Sequence, residues 1–424
     1  MRIYKFGGAS LKNAQGIKNV GRIIQEDKQV KKGVIVSAIG NTTNQLEEIV
    51  EALKTNNQVT FRYLVDLLYR SHIQIASDLL TIRLNTTLDF LEQQFVYLNE
   101  KIHKLFSENE EYEYDQIVSL GEVISSKIVE AYLAENVSYV SWINAKELIR
   151  TNANYKQAEV DWSKTNELIL NKYAEIEKNT NIFITQGFIG STREGITTTL
   201  GREGSDYTAA IFAYTLNAES LTIWKDVPGM LNADPKWFDE TIQLPHISFQ
   251  EAIELAYYGA NVIHPKTIKP LQNKNIPLYV KSFIDTTLPG TIIDSNMEDD
   301  TLIPSFIFKM NQLKISITPK DFSFIAEEKL SQIFNTISSV NAHINLMQNS
   351  AISFDFVIDN KRGVRELLTK EFENEYTVSF KEELELVTIR HYDQETIERV
   401  TVDKEIIITQ QTKHTTRMLM RDLL

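Results

Sequence analysis

Hydrophobic and polar positions divide the chain into short alternating runs, glycine-containing breaks and helical stripes. Arg2–Phe6 alternates as a strand, Gly7 and Gly8 break it, and a polar helical stretch follows over about Lys12–Glu26. Gly33–Ser37 reads as a second strand, ending in the small polar run Ala38–Asn44 before a helix to about Leu53. Strand, Gly-containing loop and helix in repetition predict a mostly parallel sheet. Val59–Phe106 contains neither Gly nor Pro. Its apolar residues recur at three- and four-residue spacing (Leu64, Leu67, Leu68, then Phe90, Leu91, Phe95, Leu98), which predicts two long helices. Another helix is predicted over Gln116–Leu133, and strands at Ser138–Trp142, Asn181–Thr185, Ser220–Trp224 and Ile276–Phe283. Ser248 and Glu251 have capping-box spacing, so a helix starts there and includes Ala252–Tyr258. Pro289-Gly290 is a turn before Thr291–Ile293.

The acidic polar run Ser295–Asp300 marks a boundary, and shorter elements follow it. Strands fit Ser305–Met310 and Lys314–Ile317, a helix Glu327–Ser338, strands Ala342–Met347 and Ile352–Ile358, and a helix Arg362–Phe372. This is a small βαββαβ-like unit. A reduced version follows, with strands at Leu384–His391, Glu405–Thr409 and Arg417–Met420 and a short helix near Glu395–Arg399. The expected division is therefore 1–295, 301–375 and 376–424.

Composition narrows the function classes. With 424 residues, the chain is too long for one ordinary core. There is no cysteine, which excludes disulfides, thiolate metal sites and cysteine nucleophiles. A formal net charge of -13 disfavours a broadly basic nucleic-acid surface. No apolar run reaches the length of about 20 residues needed to span a bilayer, and the N-terminus lacks a signal-peptide apolar region. The expectation is a cytoplasmic protein with neither nucleic-acid nor membrane partners.

The chemistry concentrates in a few loops. Lys5 stands at a strand end before Gly7 and Gly8, where N–H groups can hold anionic oxygens; a tight turn with a solvent-facing lysine has the same pattern. In Thr197–Ala210, Gly201, Arg202, Ser205 and Asp206 precede a small-residue helix. They carry more polar chemistry than a helix cap requires. Trp224–Lys236 leaves a strand with Lys225 and Asp226 and turns at Pro228-Gly229 and Asp234-Pro235. It is either a surface loop or a ligand loop of the kind found at strand carboxyl ends. His264 and Lys266 follow; His264, beside Pro265, either adds to this chemistry or only packs or caps. No P-loop, dinucleotide fingerprint, zinc-protease helix or serine-hydrolase elbow is present.

Together these segments resemble aspartate kinases of the amino-acid kinase superfamily. Lys5-Phe6-Gly7-Gly8-Ala9-Ser10 matches the family's opening Lys-Phe-Gly-Gly-Thr-Ser, and Val36–Asn44 resembles its second conserved stretch. Gly121-Glu122, Gln186–Gly190, Gly201–Asp206, Asp226–Gly229, Ala233–Pro235, His264-Pro265, Ile276-Pro277 and Gly290-Thr291 follow in order. The tail resembles paired ACT regulatory domains, the second abridged. The resemblance implies a three-layer α/β sandwich with a mostly parallel sheet, followed by α+β ACT-like domains. It implies transfer of the ATP γ-phosphoryl group, with Mg2+, to the side-chain carboxylate of L-aspartate. This step leads toward lysine (through diaminopimelate), threonine and methionine.

By family position, Lys5 and Asp206 are catalytic. Gly7, Gly8, Ser10, Lys225, Asp226, Leu231, Lys236 and Lys266 bind nucleotide. Thr43, Glu122, Arg202, Ser205 and Asp206 define the aspartate site, and the metal ligands are left unassigned. The nucleophile needs no general base, because an aspartate side chain with a pKa near about 3.9 is already ionised at neutral pH. Positive groups and N–H donors must instead bring two anions together.

The chain departs from the pattern at Ala9, Glu203, Lys225, Leu231, Lys236 and Asn261. Glu203 replaces a glycine and either points inward, repelling phosphate, or faces solvent. Lys225 replaces a threonine and could add a phosphate or adenine-side contact; Lys266 could compensate for Asn261. The tail implies lysine or threonine as effector and a homodimer formed through the ACT-like domains. A fused homoserine dehydrogenase would need several hundred further residues, so a monofunctional kinase is expected. The competing readings are another carboxylate-directed amino-acid kinase and a non-catalytic ACT-type amino-acid sensor.

Overall fold

A computed structural model describes residues 1–137, 139–260 and 263–423. It divides into two compact units. The first comprises Met1–Met230, Gln243–Ile253 and Asn261–Asp300, and the second Leu231–Ile242, Glu254–Ala260 and Thr301–Leu424.

The first unit is built on ten strands: β1 (Arg2–Phe6), β2 (Lys32–Val36), β3 (Val140–Trp142), β4 (Ile182–Gln186), β5 (Ile189–Ser191), β6 (Thr197–Thr199), β7 (Ser220–Lys225), β8 (His246–Ser248), β9 (Leu278–Ser282) and β10 (Thr291–Asp294). Eight of them form one sheet in the order β3-β4-β2-β1-β7-β9-β10-β8. It is parallel except where β9 meets β10. The fully buried pattern of β2 and β4 fits strands covered on both faces. β5 and β6 form a separate antiparallel hairpin.

Eleven α-helices accompany these strands: α1 (Ala14–Glu26), α2 (Thr42–Lys54), α3 (Gln58–Leu79), α4 (Leu84–Glu100), α5 (Glu110–Val118), α6 (Leu120–Asn136), α7 (Ala145–Leu148), α8 (Trp162–Ile176), α9 (Gly204–Thr215), α10 (Phe249–Tyr258) and α11 (Pro265–Asn273). Tyr258 falls in the second unit, so α10 runs from one unit into the other. The two long helices expected between 59 and 106 are α3 and α4. No Gly or Pro parts them. The carboxylate of Glu135 accepts N–H bonds from Thr81 and Arg83 (3.2 and 2.6 Å), capping the break from another element. The single helix expected over 116–133 is two, α5 and α6, meeting at Ser119. Ser138, the first residue of an expected strand, lies outside the described residues. Ser248 Oγ accepts the Glu251 N–H at 3.0 Å, as its spacing predicted.

The second unit has one antiparallel six-stranded sheet. Its strands are β11 (Ser305–Pro319), β12 (Ile344–Asn349), β13 (Phe354–Asp359), β14 (Tyr376–Arg390), β15 (Lys404–Gln411) and β16 (Thr415–Asp422), in the order β12-β13-β11-β14-β16-β15. Helices α12 (Glu327–Ser339), α13 (Val364–Phe372) and α14 (Gln394–Thr401) complete it. The two strands expected at 305–310 and 314–317 are one strand of 15 residues. The polar interruption is a bulge, with register shifts on either side of Gln312 and Asn311 at φ 53°. The 231–242 segment belongs here because Phe238 stacks on Phe306 at 4.6 Å beneath the Arg399 guanidinium.

Candidate active site

In the first unit, β1 lies between β2 and β7. Lys5 is paired with Ile223, and Phe6 with Trp224. The Phe6 and Trp224 rings stack with centroids 6.1 Å apart, fixing the two strand ends that present Lys5 and Lys225. This is the carboxyl edge of the parallel sheet, where open α/β folds bind ligands.

A cavity of about 470 Å³ opens there. Lys5, Thr43, Glu122, Arg202, Ser205, Asp206 and Lys225 all line it. At its centre the Lys5 ammonium lies 2.8 Å from one carboxylate oxygen of Asp206, and Lys225 lies 3.7 Å from the other. Lys5 and Asp206 are both buried. Asp206 stands in the first turn of α9, where the helix dipole favours an anion. Ser205 packs against the turn after β4, and only glycine fits opposite it. A Cβ on Gly187 would sit 2.4 Å from the Ser205 Cβ.

Glu122 enters from the start of α6 and is almost completely buried. One of its oxygens accepts the Ala38 N–H at 3.4 Å, and the other has no hydrogen-bond partner. Burial pushes its carboxyl up to about 8, against the pull of the Ala38 N–H and the charge of Lys5. Glu203 is half-buried and turned inward, which decides the alternative left open by the sequence. Its backbone is left-handed (φ 52°) at the N-cap of α9. Burial raises its pKa, and the charge of Lys225, which lines the same cavity, opposes the rise.

Gly7, Gly8 and Ser10 form the turn after β1, beside the cavity and outside its lining. A Cβ on Gly8 would lie 2.8 Å from the Gly40 carbonyl oxygen, so this turn closes tightly on the 38–40 loop. Asp226 is exposed and does not line the cavity. Leu231 and Lys236 lie in the 231–242 segment of the second unit, so the stretch 226–236 is divided between the two units. Lys266 lines a different space of about 520 Å³ with Trp162, Tyr207 and Tyr214. Asn261, for which it was expected to compensate, lies outside the described residues. His264 caps α11, its Nδ1 accepting the Lys266 N–H at 3.1 Å.

Sequence reasoning missed Tyr114, Lys156 and Gln157, which also line the cavity. Lys156 is held there by Asp115, which is wholly buried and accepts the Lys156 N–H (3.1 Å), the Thr199 N–H (2.8 Å) and the Thr199 hydroxyl (2.7 Å). Burial pushes its carboxyl up to about 6 despite these bonds. The available signal was a carboxylate two residues before the apolar pair Ile117-Val118, in the buried second half of the helix.

Comparison with known proteins agrees with this architecture. Residues 1–282 match the model of the amino acid kinase family, and the chain belongs to that family. It is 29% identical over 384 residues to bifunctional aspartokinase/homoserine dehydrogenase 2 of Arabidopsis thaliana, covering 87% of this chain and 42% of that protein. The chain thus spans less than half the length of that relative. Escherichia coli aspartokinase III in complex with aspartate and ADP superimposes with a TM-score of 0.81 at 26% identity, covering 99% of this chain and 96% of that one. The same enzyme in complex with lysine and aspartate gives 0.79 at 26% identity, covering 99% and 95%.

Proposed function

We propose that this protein is an aspartate kinase, transferring the γ-phosphoryl group of MgATP to the side-chain carboxylate of L-aspartate. The observation that carries this reading is the convergence of Lys5, Asp206, Arg202 and Ser205 on one cavity at the carboxyl edge of an amino-acid-kinase sheet. Both reactants are anions, so catalysis here is positioning and charge neutralisation. Lys5 stabilises the transferring phosphoryl group, and Asp206 holds and orients its ammonium. Arg202 forks onto a substrate carboxylate. Glu122, whose carboxyl burial keeps protonated at neutral pH, receives the substrate ammonium and ionises. Thr43 and Ser205 supply hydroxyls to aspartate. The Gly7–Ser10 turn, Lys225 and Asp226 serve the nucleotide; for Leu231, Lys236 and Lys266 this role rests on the resemblance alone.

Among the described residues no three His, Asp or Glu side chains gather as a metal site. That fits an Mg2+ ion carried by the triphosphate and water, with little help from carboxylates. Residues 1–295 then carry the chemistry. Residues 301–375 form an ACT-like regulatory part with lysine or threonine as effector, and 376–424 an abridged second one that supports a homodimer. No helix among the described residues is long and apolar enough to cross a membrane. We assign the activity to the cytoplasm, where MgATP and free aspartate are available.

The test is MgATP with a panel of carboxylate substrates, the acyl phosphate being trapped as hydroxamate. Aspartate-dependent hydroxamate is the expected result. Folded protein that binds lysine or threonine and makes no hydroxamate would instead be a sensor. Titrating both amino acids to millimolar concentration tests regulation, and unchanged activity would remove the effector assignment.

A further inference from the structure

Lys156 occupies a backbone position that suits glycine. Its φ is 63°, in the left-handed region, yet it carries a long charged side chain. An outlier of this kind at the lining of an active cavity points to a use for the side chain. Both carboxylate oxygens of the wholly buried Asp115 accept the Lys156 N–H at 3.1 Å. The same carboxylate holds the N–H and hydroxyl of Thr199 in β6, and the Thr199 carbonyl accepts the Ala158 N–H at 2.9 Å. The 156–158 turn is thereby fastened to β6, the strand that leads to Gly201 and Arg202. The fit is close, because a Cβ on Gly201 would stand 3.1 Å from the Lys156 carbonyl oxygen. Lys156 and Arg202 thus come from abutting loops. Both are exposed and line the cavity at its mouth, whereas Lys5 is buried within it. The Lys156 ammonium lies over the Tyr114 ring, 4.3 Å from its centroid, and the Tyr114 hydroxyl donates to Glu47 of α2 at 2.7 Å. A ring face steadies an ammonium and leaves its charge for a further anion. Lys5 and Lys225, by contrast, face the carboxylate of Asp206.

Aspartate brings two carboxylates to this cavity. The one that is phosphorylated must reach Lys5, which leaves the other for the exposed cations at the mouth. We propose that Lys156 is a substrate-contacting residue that, together with Arg202, receives the α-carboxylate of L-aspartate. Lys156 then helps the site to select a dicarboxylate. This rests on the kinase reading above.

The test compares K156M, K156G and K156R with the wild type, read as kcat and as KM for L-aspartate and for MgATP, with thermal melts on each. K156M should raise KM for L-aspartate about five- to tenfold and leave KM for MgATP within about twofold. K156G removes the same ammonium and relieves the left-handed backbone. It should melt no lower than the wild type and show the same KM penalty. K156R keeps a cation that can lie on the Tyr114 ring and should stay within about threefold of the wild type. The deciding arm uses the α-amide of L-aspartate, which keeps the side-chain carboxylate and the ammonium and loses the α-carboxylate charge. On the amide, K156M and the wild type should differ by less than about twofold. Should the amide not be turned over, its inhibition constant against aspartate is compared in the same way. A K156M penalty of the same size on aspartate and on the amide, or none on aspartate, would overturn the assignment. A wild type that makes no aspartate-dependent hydroxamate refutes the kinase reading itself, whereas an active wild type matched by K156M refutes only the role of Lys156.

Discussion

Glu122→Gln separates the electrostatics of the substrate pocket from its shape. An ordinary glutamate carboxyl titrates near 4.5, and this one is pushed up to about 8 by burial. At about 1.4 kcal/mol per pH unit, ionising it in the folded protein is disfavoured by about 5 kcal/mol. The sign follows from proton counts. Between about pH 4.5 and 8 the folded chain holds a proton that the unfolded chain has lost. Stability from this group is therefore complete below 4.5 and is lost as pH rises through 8. Glutamine has the same shape and does not titrate. Urea unfolding at closely spaced pH values from 5 to 8.5 should show the variant gaining on the wild type by several kcal/mol as pH rises. Other groups cancel in the difference. Substrate should reverse the balance, because an ammonium beside Glu122 favours its ionised form. Aspartate binding near pH 7 should then release close to one proton, measurable by calorimetry in buffers of different ionisation enthalpy. E122Q should release none and should raise KM for aspartate. Parallel stability curves for the two proteins across that range would refute the reasoning.

Lys5→Ala should lower turnover about a hundred- to thousandfold in protein that still folds, with a lower unfolding midpoint because the buried Asp206 loses its nearer cation; near-normal turnover would remove Lys5 from phosphoryl transfer. Arg202→Ala should raise KM for aspartate about tenfold or more, and a change confined to ATP would reassign it. Asp115→Ala leaves the Lys156 and Thr199 N–H groups and a hydroxyl without their acceptor. Denaturant unfolding should show a loss of about 3–5 kcal/mol, accompanied by weaker aspartate binding. Gly187→Ala drives a methyl into Ser205. It should cost about 1–3 kcal/mol and depress activity, and a high-activity variant would mean that α9 can retreat without consequence.

The parallel sheet and its motif-bearing loops were legible because each was local. Alternation, paired glycines and a capping serine act within a few residues. What escaped came from long-range partners. The α3–α4 break depends on Glu135, an acceptor 54 residues from Thr81. Lys156 reaches the cavity only because Asp115, from a different element, holds its backbone. The continuous β11 was read as two strands because a bulge breaks the hydrophobic alternation without breaking the ladder. The cluster of Lys5, Glu122, Arg202, Ser205 and Asp206 was found through the resemblance. The inward turn of Glu203 was open in the sequence, since rotamer and burial decide it.

β11 also determines where the tail can be cut. It pairs with β13 on one side and with β14 along nearly its whole length on the other. Ending the chain at 375 would strip one flank of a strand of 15 residues and expose a long row of unpaired backbone groups. Buried apolar side chains such as Phe306, Leu313, Ile315 and Ile317 would be left beside that open edge. Such a truncated protein would self-associate through new strand pairing, and a loss of activity in it would report aggregation before it reported anything about regulation.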